Sequence, residues 1–325
     1  MKPRRRIALI LAAVVIVALA AGVSTVYRRD IDRAFDRIST GSQIIQTRCG
    51  PIEYASLGTG TPVLIVHGAG GGFDQVMEFA GDLAAAELRV IAMSRFGYLR
   101  TPLPADASAP AQADAHACLL DALDIRRAAI VGISAGAPSS LQFALRHPQR
   151  CAALVLVVPA AYVPRPGGDA PVKAPRWTRF LFDTALRSDF LFWAATRLVR
   201  RTMIGAILAT PPDVVTSANA DEQARVALVL EHILPISSRR QGLVNDAAVV
   251  STLSRYELES IQAPTLAMST ADDRFGTYDA ARYTAEQIPG ARFFGYASGG
   301  HLWVGHHKQV VAEVGAFIKA ADSRR

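Results

Sequence analysis

Apolar runs of four to six residues recur along the chain from about residue 44, separated by longer stretches with helical periodicity. Small and branched apolar residues fill most of these runs, which is typical of strands buried on both faces of a parallel sheet. Together with two segments of mixed polarity, 44–48 and 52–57, on either side of a Cys-Gly-Pro turn, the runs predict eight strands, the other six at residues 63–66, 89–93, 128–132, 153–158, 265–268 and 293–296. With helices between the strands, the pattern favours an α/β fold whose mostly parallel sheet has helices on both faces.

One long segment, residues 162–259, interrupts this alternation between the sixth and seventh strands. Prolines mark its start, and helical patterns with several aromatic residues follow, namely Trp177, Phe180, Phe182, Phe190, Phe192 and Trp193. We expect a helical cap over the sheet rather than an independent domain, so that residues 44–325 form one domain. The aromatic residues either form the core of the cap or line an apolar pocket that suits an acyl or aromatic substrate.

The N-terminal pattern is different, because residues 7–23 contain no charged or strongly polar residue. With residues 24–27 the uncharged stretch reaches 21 residues, and roughly 20 helical residues span the hydrocarbon core of a bilayer. Residues 1–27 are therefore predicted to be a membrane anchor, or a secretory signal cut after Ala20. A twin-arginine signal and a buried soluble helix are the remaining alternatives. Residues 28–43 are expected to form a linker that contains a short helix of mixed charge.

Basic residues lie on both sides of this apolar stretch. Four precede it and four follow it, namely Lys2, Arg4, Arg5 and Arg6, then Arg28, Arg29, Arg33 and Arg37. The first group is more tightly clustered, and the amine of the chain adds to its charge. Because basic residues stay on the cytoplasmic side of a membrane, we expect a cytoplasmic N-terminus and a periplasmic or otherwise extracytoplasmic globular part. If the segment is cleaved, that part is secreted.

The formal net charge of +7 is concentrated at the N-terminus. Residues 1–37 hold eight Lys or Arg and three Asp, a balance of +5, which leaves +2 for residues 38–325. The globular part is therefore close to neutral, and nothing in its charge suggests binding of nucleic acid. With 50% hydrophobic and 19% charged residues, the composition also excludes a disordered chain.

The three cysteines, Cys49, Cys118 and Cys151, lack the spacing of a metal site. We expect buried free thiols, although one disulfide is possible in an oxidising compartment. No cofactor and no metal ion are predicted from any motif in the chain.

A motif with chemical meaning follows the fifth strand, in Gly132-Ile133-Ser134-Ala135-Gly136. A serine between a strand and a helix must adopt a strained backbone conformation that exposes its hydroxyl group. The glycines on either side allow the strand and the helix to approach closely. Ser134 is therefore a candidate nucleophile, although a glycine-rich turn with an incidental serine has the same five residues.

A serine nucleophile needs a base and an acid that orients the base. His301 follows the last strand after two glycines, in a loop that can turn its ring inward. Asp272 and Asp273 follow the seventh strand, and only one of them can face the histidine. We expect Asp273 to be the partner of His301, with Asp272 as the alternative.

Two backbone amides are candidates for binding an oxyanion. The first is the amide of Ala135, which follows the candidate nucleophile. The second lies in the glycine-rich loop after the third strand, where the amide of Ala69 is preferred and that of Gly70 is the alternative. Because no Lys-Ser or Lys-Thr follows the glycines, the loop does not indicate a nucleotide site.

Taken together, these motifs resemble the α/β-hydrolase superfamily. The resemblance extends from about residue 44 to residue 321 and rests on the order Ser134, Asp273, His301, with His67-Gly68 upstream. Thr270 departs from it, since members often carry glycine there, and this leaves the choice of acid open. The resemblance implies cleavage of an ester, thioester, amide or carbon–carbon bond without a cofactor.

The sequence therefore predicts a membrane-associated serine hydrolase that acts on a small molecule through an acyl-enzyme. A non-catalytic binding protein with the same fold is one alternative. An acyltransferase that uses the same three side chains is another.

Overall fold

An eight-stranded sheet forms the centre of the protein in the computed structural model, which describes residues 3–164 and 187–323. The strands are β1 (Gln43–Thr47), β2 (Gly50–Leu57), β3 (Thr61–Val66), β4 (Leu88–Met93), β5 (Ala128–Ile133), β6 (Cys151–Val157), β7 (Thr265–Thr270) and β8 (Arg292–Tyr296). Their spatial order is β1-β2-β4-β3-β5-β6-β7-β8. The pairs β1–β2 and β2–β4 are antiparallel, and all other pairs are parallel. The predicted mostly parallel sheet is confirmed.

Helices cover both faces of the sheet. In the described residues the helices, including those outside the two sheet faces, are α1 (Pro3–Ser39), α2 (Phe73–Ala85), α3 (Ala109–Ala122), α4 (Ala137–Arg146), α5 (Asp189–Leu198), α6 (Arg200–Ile207), α7 (Pro212–Ser217), α8 (Ala220–Glu231), α9 (Arg240–Ser251), α10 (Thr277–Gln287) and α11 (His307–Asp322). Alternate residues of the central strands point to opposite faces, so Leu64 and Ile130 join one apolar core while Ile65 and Val131 join the other. This explains why the strands are apolar at nearly every position.

The helices α5 to α9 lie between β6 and β7 and form the predicted cap. They share an apolar core of their own, which includes Phe192, Trp193 and Leu230, and to which Leu302 and Val304 contribute from the loop after β8. Of the aromatic residues that the sequence singled out, Trp177, Phe180 and Phe182 lie outside the described residues.

Helix α1 joins the predicted anchor and the predicted linker helix into one element. No proline or paired glycine interrupts residues 24–39, so nothing in the sequence ends the helix at residue 27. The part of α1 within Leu9–Ser39 contains a long, strongly apolar stretch that is not buried. By length and composition α1 can cross a membrane, and a signal sequence would have the same character.

Cys49 and Cys118 form a disulfide, so the expectation of free thiols is wrong for these two residues. Cys49 lies in the turn between β1 and β2, Cys118 lies on α3, and their Cα atoms are 6.0 Å apart. Sequence spacing could not reveal this pair, because the fold places the hairpin against α3. Cys151 is a buried free thiol, and burial raises its pKa to about 12.

Candidate active site

Ser134 occupies a sharp turn between β5 and α4, as the motif predicts. Its backbone φ of 50° is in the left-handed region that non-glycine residues rarely adopt. A Cβ on Gly136 would clash with the carbonyl oxygen of Val66, and one on Gly132 would lie 2.5 Å from Ser140 Oγ. Both glycines are therefore needed for the close approach of β5, β3 and α4, which presents the Ser134 hydroxyl at the carboxyl edge of the sheet.

The side chains of Ser134, His301 and Asp273 lie in one hydrogen-bonded line. His301 Nε2 is 2.9 Å from Ser134 Oγ, and His301 Nδ1 is 2.7 Å from Asp273 Oδ2. Because a carboxylate only accepts hydrogen bonds, Nδ1 carries the proton of the neutral imidazole. Nε2 is then free to accept the hydroxyl proton of Ser134, which is the arrangement that activates a serine.

The two neighbouring acids after β7 have different partners. Asp272 accepts hydrogen bonds from the amides of Gly300 (2.8 Å) and Gly299 (3.2 Å), and it does not bond to the imidazole. Thr270, two residues before Asp272, donates from Oγ1 to the Gly300 carbonyl at 2.8 Å. Asp272 and Thr270 thus hold the loop that carries His301, while Asp273 contacts the ring.

Asp273 is itself held in place by the loop that follows it. Its Oδ1 accepts from the amide of Phe275 at 2.8 Å, and its Oδ2 accepts from the hydroxyl of Thr277. The Phe275 ring meets the His301 ring edge to face, with centroids 4.9 Å apart. These contacts keep the carboxylate and the imidazole aligned without further rearrangement.

The candidate oxyanion amides differ in their hydrogen bonds. The amide of Gly71 closes a turn on the carbonyl of Gly68 (3.2 Å), and the amide of Gly70 donates to the Tyr98 hydroxyl (3.2 Å). Within residues 3–164 and 187–323, the amides of Ala69 and Ala135 have no acceptor. The geometry therefore favours Ala69 over Gly70 as the second donor.

His67 connects the glycine-rich loop that carries Ala69 to the loop after β4. Its Nε2 accepts from the amide of Arg95 at 3.0 Å, so the ring proton is on Nδ1, which lies 2.7 Å from the Gly68 carbonyl oxygen. Complete burial, and next the charge of Arg95, hold the pKa of His67 well below its usual value. His67 is therefore a neutral structural residue and not a second base.

A buried network that the sequence did not reveal joins this loop to the cap. Asp246 on α9 binds the Arg95 guanidinium at 2.7 and 2.6 Å and accepts from the Tyr98 hydroxyl at 2.5 Å. Tyr98 in turn accepts from Gly70, as described above. Arg95 and Tyr98 in the loop after a buried strand were a possible signal in the sequence, but their acidic partner lies 151 residues after Arg95.

A cavity of about 530 Å³ opens above Ser134 and His301, between the sheet and the cap. Most of its wall is apolar, with Val76 and Val158 from the core and Phe192, Leu208, Ile233 and Leu243 from the cap. Phe190 and Trp193 instead pack against Tyr27 of α1, with centroids 5.1 and 5.4 Å from its ring. The cap aromatics thus divide between pocket wall and packing.

Charged residues also line the cavity, and among them Arg225 binds to protein groups. Arg225 donates to Glu222 Oε2 (2.8 Å) and to the Leu302 carbonyl (2.7 Å). His307 also lines the cavity, and burial, together with the nearby charge of Arg225, lowers its pKa. Among the described residues, no three His, Cys, Asp or Glu side chains come together in a way that could hold a metal ion.

Comparison with known proteins agrees with this architecture. The profile of the α/β hydrolase fold family matches residues 61–304. An uncharacterized hydrolase, YcgS, from Bacillus subtilis is 28% identical over 284 residues, which cover 83% of this chain and 94% of that protein. A 2-hydroxymuconate semialdehyde hydrolase from Pseudomonas putida is 27% identical over 276 residues, covering 82% of this chain and 90% of that protein.

A solved structure shares both the architecture and part of the sequence. An alpha/beta hydrolase fold protein from Nakamurella multipartita superposes with a TM-score of 0.63 at 28% identity. The match covers 86% of this chain and 99% of that protein.

Proposed function

Because the chain belongs to the α/β-hydrolase fold family, we propose that it is a serine hydrolase with Ser134 as nucleophile, His301 as base and Asp273 as the partner of the base. The observation that carries the proposal is the line of two hydrogen bonds, 2.9 Å and 2.7 Å long, that ends at the floor of an apolar cavity. A non-catalytic binding protein has no need for this alignment.

In the first step, Ser134 Oγ attacks the substrate carbonyl carbon while its proton moves to His301 Nε2. The carbonyl oxygen becomes an oxyanion, which the amides of Ala69 and Ala135 stabilise. Asp273 stabilises the imidazolium through Nδ1. His301 then gives its proton to the leaving oxygen, and the bond between carbonyl carbon and leaving group breaks, which leaves an acyl-enzyme.

Water completes the cycle in the second half. His301 takes a proton from the water as its oxygen attacks the acyl carbon, and the proton returns to Ser134 Oγ as the acyl group leaves. If an alcohol replaces water, the same steps transfer the acyl group to that alcohol, and the protein is an acyltransferase. Analysis of the products, a free acid or a new ester, distinguishes the two activities.

The cavity wall supports an uncharged substrate with an aliphatic or aromatic acyl group, since apolar side chains dominate it. A volume of about 530 Å³ fits a small ligand rather than a polymer. The P. putida relative is named for 2-hydroxymuconate semialdehyde, and this compound is therefore the second substrate to test.

Labelling with a fluorophosphonate probe tests the nucleophile. The wild type should be labelled, and Ser134→Ala should not. Ser139→Ala is a matched control, because Ser139 also contacts a histidine but is buried and does not line the cavity. Labelling of Ser134→Ala at the wild-type rate would exclude Ser134 as nucleophile, and an unlabelled wild type would favour the binding-protein alternative.

Turnover of p-nitrophenyl esters with increasing acyl length, measured beside 2-hydroxymuconate semialdehyde, tests the substrate class. We expect kcat/KM to increase with chain length until the acyl group fills the cavity and then to decrease. Turnover of the semialdehyde alone would shift the proposal from esters to that second substrate.

We also propose that α1 tethers the globular part to a membrane on its extracytoplasmic side. The apolar stretch supports the tether. The Cys49–Cys118 disulfide supports an oxidising compartment, since such bonds are rare in the cytosol. Protease added to spheroplasts should digest the globular part while a cytoplasmic marker survives. Full protection of residues 40–323 would reverse the topology.

A further inference from the structure

The last part of α1 packs against the cap. Asp30 Oδ2 accepts hydrogen bonds from Trp193 Nε1 (3.0 Å) and from the Arg197 guanidinium (2.7 Å). Ile31, the next residue, and Ala34, one turn further along the helix, are buried in the apolar core of the cap. The segment that follows the apolar stretch is therefore part of the globular structure and not a free linker.

Arg37, at the end of the same helix, reaches a residue of the catalytic core. Its Nε donates to Asp74 Oδ2 at 3.1 Å, and its Nη2 donates to the carbonyls of His232 (3.4 Å) and Leu234 in the cap. Asp74 lies in the first turn of α2, directly after the glycine-rich loop that carries Ala69. Arg37 thus connects three parts of the molecule, namely α1, the cap and the start of α2.

A second arginine, Arg239 from the cap, shares the same carboxylate. It is completely buried, and it donates to Asp74 Oδ2 (2.7 Å) and Oδ1 (3.2 Å). Its Nη1 also donates to the carbonyl oxygen of Gly71 at 2.5 Å. Gly71 is the residue whose amide closes the turn around Ala69, so Arg239 holds the far end of that turn.

The charges of this cluster depend on one another. Burial alone would raise the pKa of Asp74, but Arg239 and then Arg37 outweigh this effect and hold the pKa below its usual value. The carboxylate is therefore ionised at neutral pH and aligns both guanidinium groups. Without Arg37, Oδ2 loses one of its two donors, and the pairing of Asp74 with Arg239 can shift.

We propose that Arg37 is a positioning residue for the oxyanion loop, the turn of residues 68–71 that carries the Ala69 amide. In this way α1, the helix with the apolar stretch, contributes to the geometry of the active site. Arg37 contacts Asp74, Asp74 contacts Arg239, and Arg239 contacts Gly71. Gly71 lies two residues after Ala69 in the same turn. Since the inference assumes that Ala69 binds the oxyanion, it rests on the proposed function. Small displacements of such a donor reduce catalysis strongly, and a misplacement of about 1 Å costs roughly 100-fold.

The test compares Arg37→Gln with Arg33→Gln in the full chain purified in detergent. Arg33 lies one turn earlier on α1, is largely exposed and has only a distant contact with Asp30, at 4.0 Å. The measurements are kcat and KM for the best p-nitrophenyl ester, and the inhibition constant of a trifluoromethyl ketone. That inhibitor adds Ser134 Oγ to its carbonyl carbon, and its oxygen then occupies the oxyanion position.

For Arg37→Gln we expect kcat to decrease by roughly 10- to 100-fold and the ketone to bind more weakly by the same factor. KM should change by less than about twofold, because substrate and oxyanion contacts are separate. Active-site titration with the fluorophosphonate corrects for any unfolded fraction. Arg33→Gln should resemble the wild type. Arg37→Lys keeps the charge but has only one donor nitrogen. Its kcat and its affinity for the ketone should therefore lie between those of the wild type and of Arg37→Gln.

Parallel losses in kcat and ketone affinity, absent from Arg33→Gln, are the signature of a positioning role. An unchanged kcat for Arg37→Gln, or a decrease that disappears after active-site titration, overturns the inference. If Arg37→Gln does not fold, the same comparison with Arg37→Lys decides. The proposed function fails separately, through activity of Ser134→Ala, so the two outcomes can be distinguished.

Discussion

A second serine–histidine pair, Ser139 and His116, lies behind the elbow that presents Ser134. His116 Nε2 is 3.1 Å from Ser139 Oγ, which donates to the carbonyl of Gly136, and Nδ1 faces the sulfur of Met93. Both side chains are buried, and burial lowers the pKa of His116 to about 3. The two histidines therefore differ in access, because His301 lines the cavity whereas His116 does not.

This burial predicts a pH-dependent stability. In the unfolded chain His116 takes up a proton near its ordinary pKa of 6.5, whereas the folded protein resists protonation down to about pH 3. The unfolded state therefore binds more protons in this window, and the stabilisation that is complete above pH 6.5 is lost as the pH falls toward 3. Between pH 7 and pH 5, His116 alone should cost about 2 kcal/mol.

Urea unfolding at pH 7 and pH 5 checks this prediction, with His116→Gln beside the wild type. The variant is expected to lose about 2 kcal/mol less than the wild type over this interval. Equal losses in both proteins would show that His116 is not responsible for the acid sensitivity.

The choice between neighbouring residues also belongs to the residue scale. Asp272 and Asp273 are adjacent in the sequence and follow the same strand, yet only Asp273 contacts the imidazole. Ala69 and Gly70 are separated in the same way, because Tyr98 occupies the Gly70 amide. Such choices depend on the direction of single backbone bonds in a loop, which no periodic pattern encodes.

At the scale of elements, buried ion pairs hold the cap on the sheet. Arg95 follows β4 and Asp246 lies on α9, and both side chains are only 6% exposed. Asp74 and Arg239 make a second link of the same kind between α2 and the cap. Because a buried charge without its partner is costly, these links should set the position of the cap more strictly than its apolar contacts do.

Replacement of Asp246 by asparagine tests this role. The substitution leaves the Arg95 guanidinium buried without a counter-charge, and we expect it to destabilise the protein by about 3–5 kcal/mol. Glu259→Gln is the matched control, since its pairing with Arg255 is exposed and should contribute little to stability. Denaturation in urea measures both, and similar small effects would contradict the expected importance of the buried pair.

At the scale of the whole molecule, the Cys49–Cys118 disulfide joins the antiparallel edge of the sheet to α3, across 69 residues of sequence. A closed loop of this length restricts the unfolded chain and contributes up to about 4 kcal/mol. The protein should therefore be less stable after reduction, and its stability then depends on the redox state of its compartment.

Unfolding in urea with and without a reducing agent measures this contribution. The double variant Cys49→Ser, Cys118→Ser should match the reduced wild type and should not respond to the reductant. Cys151→Ala should keep the wild-type response, because Cys151 takes no part in the bond. A reductant effect that persists in the double variant would assign the difference to another cause.

The pattern of the sequence was sufficient to predict eight strands along the chain, and it placed Ser134, Asp273 and His301 after three of them. Runs of apolar residues indicate buried strands, and glycines indicate tight turns. Both can therefore be predicted from a few neighbouring positions. Because the carboxyl ends of parallel strands share one edge of the sheet, residues placed after them are brought close together by the fold class alone.

Contacts between residues that are distant in the chain follow from the packing of the folded protein and could not be predicted from the sequence. The disulfide, the pairing of Arg95 with Asp246, and the cluster around Asp74 all join segments that no motif connects. Arg37 was counted in the sequence only as a charge beside an apolar stretch, and its place next to the candidate oxyanion loop follows from how α1 packs on the cap. Side-chain partners across such distances depend on the packing of whole elements, which local patterns do not determine.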